Sequence, residues 1–224
     1  MPASPRSAKA EQTRRSIVEA AMRLFRRDGY DATTMRAIAA EAGVSLGNAY
    51  YYFGSKEHLI QAFYDQIQVE HRAASALPLA AGTAFVDRLR GVLLAWVDIA
   101  EPSHEFAGQF FRNAADPASP LSPFSPTSAD AREASTAIYR DVVTGSDLKL
   151  APALKAELPE LLWLMHMGVV LFWVYDASPG QARTRALVDQ VVPLIDRLAR
   201  ISRLPGVRGA IDDLLALMAA LRAG

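Results

Sequence analysis

The chain predicts an all-α protein in two parts, a three-helix helix-turn-helix unit at the N-terminus and a larger helical unit after it. Three observations carry this expectation. Thr33–Lys56 reads as two short helices joined by a tight turn, followed by the start of a third. Pro159–Asp176 is helical in length and apolar around its whole circumference, and Gln181–Ser202 then places apolar residues at alternating steps of four and three. No stretch alternates in the manner of a strand, and neither an internal repeat nor a phosphate-binding glycine loop is found.

Residues 1–10 hold two prolines and small residues and read as a mobile tail. From Glu11, the stripe Ile17, Ala20, Ala21, Leu24 and Phe25 forms a helix that ends at Asp28-Gly29. Thr33 or Thr34 caps the next, with Met35, Ile38, Ala39 and Ala42 on one face. Gly43 supplies the conformational freedom of the turn, and Ser45 caps a helix through Leu46, Ala49 and Phe53. A fourth helix starts near Ser55, and small residues with Pro78 mark a boundary beyond about Ala74. Two helices follow, at 85–96 and from Ser103, before a loop at 116–126 whose prolines exclude regular structure. Helices are then expected at 127–145, 159–176, 181–202 and 207–222.

Composition bounds the chemistry. Hydrophobic residues make up 51% and charged residues 21% of the 224 positions, which suits a core and not disorder. There is no cysteine, so disulfides, cysteine nucleophiles and cysteine-based metal sites are excluded. The four histidines lie far apart and no catalytic constellation announces itself, so no metal, cofactor or catalytic residue is expected. The N-terminus carries no signal-peptide pattern. The uncharged run Leu161–Tyr175 falls short of the roughly 20 residues a spanning helix needs, so a cytoplasmic protein with no membrane partner is expected. Net charge is zero, but residues 1–60 hold nine Lys/Arg against six Asp/Glu and the remainder fifteen against eighteen, which favours a polyanion at the N-terminal end.

The helix-turn-helix spacing places the second helix to enter a DNA major groove. Gly47, Asn48 and Tyr51 face away from the core, and Ser45, Tyr50 and Tyr52 flank them. Tyrosine hydroxyls bond phosphates, an asparagine pairs with adenine, and a glycine admits a close backbone. Thr34 and Arg36, at the start of the preceding helix, join this set. Lys56 sits in a first helical turn, where its charge opposes the helix dipole, and a nearby phosphate would explain it. Plain helix packing and a tyrosine surface for a protein partner are the alternatives.

Residues 13–66 resemble the N-terminal domain of the TetR (tetracycline repressor) family. The matching residues are Ile17, Ala20, Ala21, Phe25, Gly29, Tyr30, Thr33, Thr34, Ile38, Ala39, Ala42, Gly43, Val44, Ser45, Gly47, Tyr50, Phe53, Lys56 and Leu59. Asn48 stands where a threonine is common and Ala49 where a leucine is common. The resemblance implies a DNA-binding domain at 11–71 (motif 34–53) and a helical ligand-sensing and dimerisation domain at 72–224. It implies a homodimeric transcriptional regulator, most simply a repressor, bound to a palindromic double-stranded DNA operator. The dimer interface would form from 159–177 and 181–202, through Leu161, Met165, Gly168, Phe172, Leu187, Val191, Leu194 and Leu198. The excess of aromatics outside the DNA unit suggests a pocket for an unidentified small apolar or amphipathic effector. Its candidate lining is Trp96, His104, Phe106, Phe110, Phe111, Phe124, Tyr139, Trp163, His166 and Met167. The alternative is an all-helical enzyme or small-molecule carrier.

Overall fold

The computed structural model describes residues 5–116 and 119–223. Through these run α1 (Pro5–Asp28), α2 (Met35–Glu41), α3 (Leu46–Tyr52), α4 (Lys56–Ala80), α5 (Phe85–Ala100), α6 (His104–Ala115), α7 (Ala129–Thr144), α8 (Pro152–Val174), α9 (Ala182–Ile201) and α10 (Pro205–Ala223), with no strand among the described residues. Two compact units result, Met1–Ile67 with Ser103–Ala129 and Gln68–Pro102 with Asp130–Gly224.

Several boundaries differ from the sequence reading. Of the expected tail, residues 1–4 lie outside the described residues, while 5–10 begin α1, because proline suits the first helical position. Residues 103–129 join the first unit and not the second. Leu121, 3% exposed, packs into the core that Ile17, Leu24, Phe25, Ile38, Phe53 and Leu59 build. The 119–128 stretch is not an open loop. It repeats Ser-Pro-x three times, and Ser122, Ser125 and Ser128 each donate a backbone N–H to the carbonyl three residues back. That repeat is too short to register as a period, and Phe124, expected to plug a pocket, is 64% exposed.

α4 continues past the expected boundary to Ala80. Pro78 falls in its last turn, near a helix end that has few further bonds to lose. The Pro78 ring occupies the space a side chain at Gly91 of α5 would need, so that position accepts only glycine. α8 begins at Pro152, not Pro159, since Ala151–Leu158 is itself rich in helix formers. At 23 residues it is long and apolar enough to cross a membrane by length and composition, a correction to the shorter run read from the sequence. Its Leu158, Leu162, Trp163, Val169 and Trp173 are buried within the second unit, where Phe85, Leu89, Ile138, Val142 and Val188 meet several of them in one apolar cluster.

Two buried ionic groups brace this unit. The Arg88 guanidinium, on a residue 7% exposed, donates to the carbonyls of Leu79, Gly82 (2.8 Å), Asp141 (2.8 Å) and Val142 (3.3 Å). Leu79 lies in the last turn of α4, and Asp141 and Val142 lie in the last turn of α7, where helices leave carbonyls without intrahelical partners. Asp176, 2% exposed, accepts from the N–H and hydroxyl of both Ser178 and Thr184 at 2.6–3.0 Å. Burial alone would raise its carboxyl, but these donors outweigh burial and hold it well below the usual carboxylate range.

Arg88→Met should therefore lower the stability of the second unit by about 2–5 kcal/mol, because four carbonyls lose a charged donor at once. Urea unfolding followed by tryptophan emission measures this. Arg88→Lys should recover only part, since one ammonium cannot span both helix ends, and a Lys variant as stable as the parent would refute the bridging role.

Candidate nucleic-acid interface

Local chemistry sets the angle between α2 and α3. Thr34 caps α2, its hydroxyl accepting from Ala37 N–H at 3.2 Å, while the buried Thr33 hydroxyl donates to Gly29 O at 2.7 Å. At the other end Val44 N–H bonds Ala39 O (2.9 Å) and Gly43 N–H bonds Ala40 O (3.1 Å), with Gly43 at φ +68°. This 6→1 and 5→2 pair is the Schellman closure, which needs the left-handed conformation glycine adopts freely. Ser45 then caps α3, accepting from Asn48 N–H at 3.1 Å.

Ala49 (0% exposed) and Phe53 (3%) seat α3 on the core. The opposite face presents Gly47, Tyr50 and Tyr51, the last 81% exposed, with Asn48 and Tyr52 half-buried beside them. A side chain at Gly47 would touch nothing within 4 Å, so packing inside the protein does not require glycine there. The expected set is thus divided. Gly47, Asn48, Tyr50, Tyr51 and Tyr52 lie together on α3, Arg36 is exposed on α2, and the hydroxyls of Thr34 and Ser45 are engaged as caps.

Lys56 has a partner inside the chain that the sequence did not suggest. Its ammonium donates to Tyr30 O at 2.6 Å and lies 4.2 Å from the centre of the Tyr30 ring. Glu57 accepts from the Tyr30 hydroxyl at 2.6 Å. Burial, then this carboxylate, push the phenol above its ordinary range. Tyr30 was matched in the sequence without a role. Its partners lie 26 and 27 residues away, so only packing could reveal them. Arg14 of α1 was also missed. Its guanidinium stands 5.2 Å from the centre of the Phe53 ring, and it borders a hollow of about 300 Å³ with Tyr52, Phe53, His58 and Gln61.

The other expected sites divide between the units. His104, Phe106, Phe110, Phe111 and Phe124 belong to the first unit, with the side chains of Phe106 and Phe110 outside the described residues. Trp96, Tyr139, Trp163, His166 and Met167 belong to the second, and the first four are buried there. Five of the ten thus fall in each unit. An open hollow of about 480 Å³ on the second unit is bordered by Arg72, Leu79, Arg88, Asp141 and Thr144, and by none of the ten. Of the expected interface residues, Gly168, Phe172, Leu194 and Leu198 are exposed, whereas Leu161, Met165 and Val191 pack partly on the core and Leu187 is half-buried. Leu164, Leu171, Tyr175 and Ile201 are exposed beside them and were not anticipated.

A capped helix-turn-helix with an exposed polar-aromatic second helix, followed by a second all-helical unit, defines a DNA-binding regulator fold. Residues 17–63 match the bacterial regulatory proteins of the tetR family, and residues 88–217 match the tetracyclin repressor-like C-terminal domain. The second match alone covers more than half of the chain, and the protein belongs to the TetR family of transcriptional regulators. The HTH-type transcriptional regulator TtgR of Pseudomonas putida is 42% identical over 62 residues, which are 28% of this chain and 30% of TtgR. The HTH-type transcriptional regulator UidR of Escherichia coli is 38% identical over 78 residues, 35% of this chain and 39% of UidR. The chain therefore spans well under half the length of the curated relatives it matches. The TetR transcriptional regulator from Nitrosomonas europaea ATCC 19718 shares the fold at TM-score 0.60 and 19% identity, over 81% of this chain and 96% of that one. A TetR-family regulator from Syntrophomonas wolfei str. Goettingen does so at 0.66 and 14%, over 83% and 95%.

Lys56→Ala is expected to lower thermal stability by loosening Tyr30, in contrast to a pure phosphate contact, which would leave stability unchanged. Differential scanning calorimetry distinguishes the two. An unshifted melting temperature together with a salt slope reduced by about one would restore the phosphate role.

Proposed function

We propose that the protein is a cytoplasmic homodimeric repressor that reads a palindromic operator through α3 and is released by a small apolar or amphipathic ligand. The observation that carries the DNA-reading half is the exposed face of α3, Gly47, Tyr50 and Tyr51 with the half-buried Asn48 beside them, held by two caps and a Schellman turn. Asn48 suits adenine, the tyrosines suit phosphate, sugar and thymine methyls, and Gly47 lets the backbone approach. In this reading the first unit binds DNA, and the second senses ligand and dimerises.

The apolar surface of α8 and α9 supports dimerisation. Leu164, Gly168 and Leu171 recur at steps of four and three on α8, with Tyr175 at its C-cap, and Leu194, Leu198 and Ile201 recur likewise on α9. Exposed apolar area of this kind marks an interface, and two-fold symmetry would match operator half-sites about 34–36 Å apart. The buried aromatics of the second unit support an effector site. Release requires the ligand to prefer the conformation that cannot span the operator, and linkage then requires DNA to weaken ligand binding by the same factor.

Binding sites selected from a random duplex pool test the reading directly. Asn48→Ala should cost about 1–3 kcal/mol on the selected site and little on random DNA. No enrichment of any sequence, or an unchanged preference in the variant, would reject base readout by α3.

Leu198→Glu should convert the dimer to a folded monomer in sedimentation and weaken operator binding with it. A variant that stays dimeric would place the interface elsewhere.

A further inference from the structure

Aromatic rings from four helices meet inside the second unit. His166 of α8 lies 5.0 Å from Trp96 of α5, 5.7 Å from Tyr139 of α7 and 5.8 Å from His71 of α4, centre to centre. His71, Tyr139 and His166 are at most 1% exposed. His71 Nε2 is 3.0 Å from the Val92 carbonyl, so Nε2 carries the hydrogen and Nδ1 is a bare lone pair. That Nδ1, both ring nitrogens of His166 and the Tyr139 hydroxyl find no hydrogen-bonding group among the described residues.

Neither imidazole faces a carboxylate here. The titratable groups that meet His166 are His71 and Tyr139, and α5 contributes an indole. On α9, Arg185 pairs with Asp98 and Glu101, Asp189 with Arg90, and Arg200 with Asp147 and Asp196, while Arg183 and Arg197 are exposed; between α4 and α7, Arg72 pairs with Asp141 at the surface. On α10, which also packs on α8, Asp212 and Asp213 are exposed. A proton on either ring would therefore be a buried charge with no counter-ion, the costliest kind of buried group. Burial, and for His166 also its neighbour His71, push both rings below the ordinary histidine range.

We propose that the His71–His166 pair is an acid-triggered switch: proton uptake there loosens α8 from α4, α5 and α7 and releases the subunit interface that α8 carries. The last step rests on the dimer proposed above. In the unfolded chain histidines titrate near about pH 6.5. The folded state holds these protons more weakly, so stability is full above that pH and falls as pH drops through it. Each histidine lowers the folding equilibrium by about tenfold per pH unit in that window, and both together by about a hundredfold.

All three tryptophans, Trp96, Trp163 and Trp173, lie in the second unit, so their emission reports that unit alone. Urea unfolding of the full chain at pH 7.5 and 5.5 is expected to show at least a tenfold loss in the folding equilibrium, and sedimentation a dimer at the higher pH and a monomer at the lower. His71→Gln, which keeps a donor for Val92, and His166→Phe should each flatten the pH dependence. Should a variant not fold, the ring-proton NMR titration of the wild type decides, both buried rings staying neutral below pH 6 in the folded chain. Equal stability at the two pH values, an undiminished dependence in both variants, or rings that charge near pH 6.5 while folded would each overturn the switch. A dimer intact at pH 5.5 with a weakened core would overturn the release step. A monomer already at pH 7.5 would instead overturn the dimer reading, and the urea series alone would judge the core.

Discussion

The turn from Ala42 to Ser45 contributes almost no side-chain mass, yet the exposed face of α3 depends on it. Two reversed bonds close α2 and the Ser45 hydroxyl opens α3, so the direction of α3 is set by backbone groups whose geometry has little slack. Ala49 and Phe53 then press one side of the seven-residue helix into the core. A helix this short is marginal by itself in water. Caps and core together make it a rigid platform on which Asn48 and the tyrosines are presented, and such precision is what base readout requires of a side chain.

The second unit answers a different constraint. α8 is apolar on every side, so its burial is not decided by a stripe of its own but by what surrounds it. One side, with Leu162, Trp163, His166 and Val169, is covered by its own chain. The other keeps Leu164, Gly168 and Leu171 in water, a cost that a second copy of the chain would remove. His166 belongs to the covered side, which links the chemistry of the core to the helix that carries the surface.

Buried ionic groups in this unit follow one rule, satisfied or uncharged. The Arg88 guanidinium is met by four carbonyls, and the four donors that converge on Asp176 hold its carboxyl below the usual carboxylate range. His71 meets one carbonyl and His166 no hydrogen-bonding group among the described residues, and burial pushes both rings below the ordinary histidine range. The same physics that makes the first two braces makes the histidines responsive to pH.

The sequence by itself determined the features whose causes lie within a few residues. The cap at Ser45, the Gly43 turn, the inward Ala49 and Phe53 and the outward Gly47 and Tyr51 were legible, and the first cap was narrowed to Thr33 or Thr34, because capping and helical periodicity act over one or two turns, whereas the half-burial of Asn48 was not. Prolines misled wherever the local rule met a packed context: Pro78 and Pro159 lie inside helices, and the Ser-Pro stretch at 119–128 is folded into ordered turns. Only tertiary structure decided the rest. Lys56 finds Tyr30 across 26 residues, Arg88 reaches Asp141 across 53, and Leu121 joins a core otherwise built from residues before position 63. It also decided which side of α8 is covered, since a helix without a polar face carries no local sign of its inward direction, and only the helices packed around it supply one.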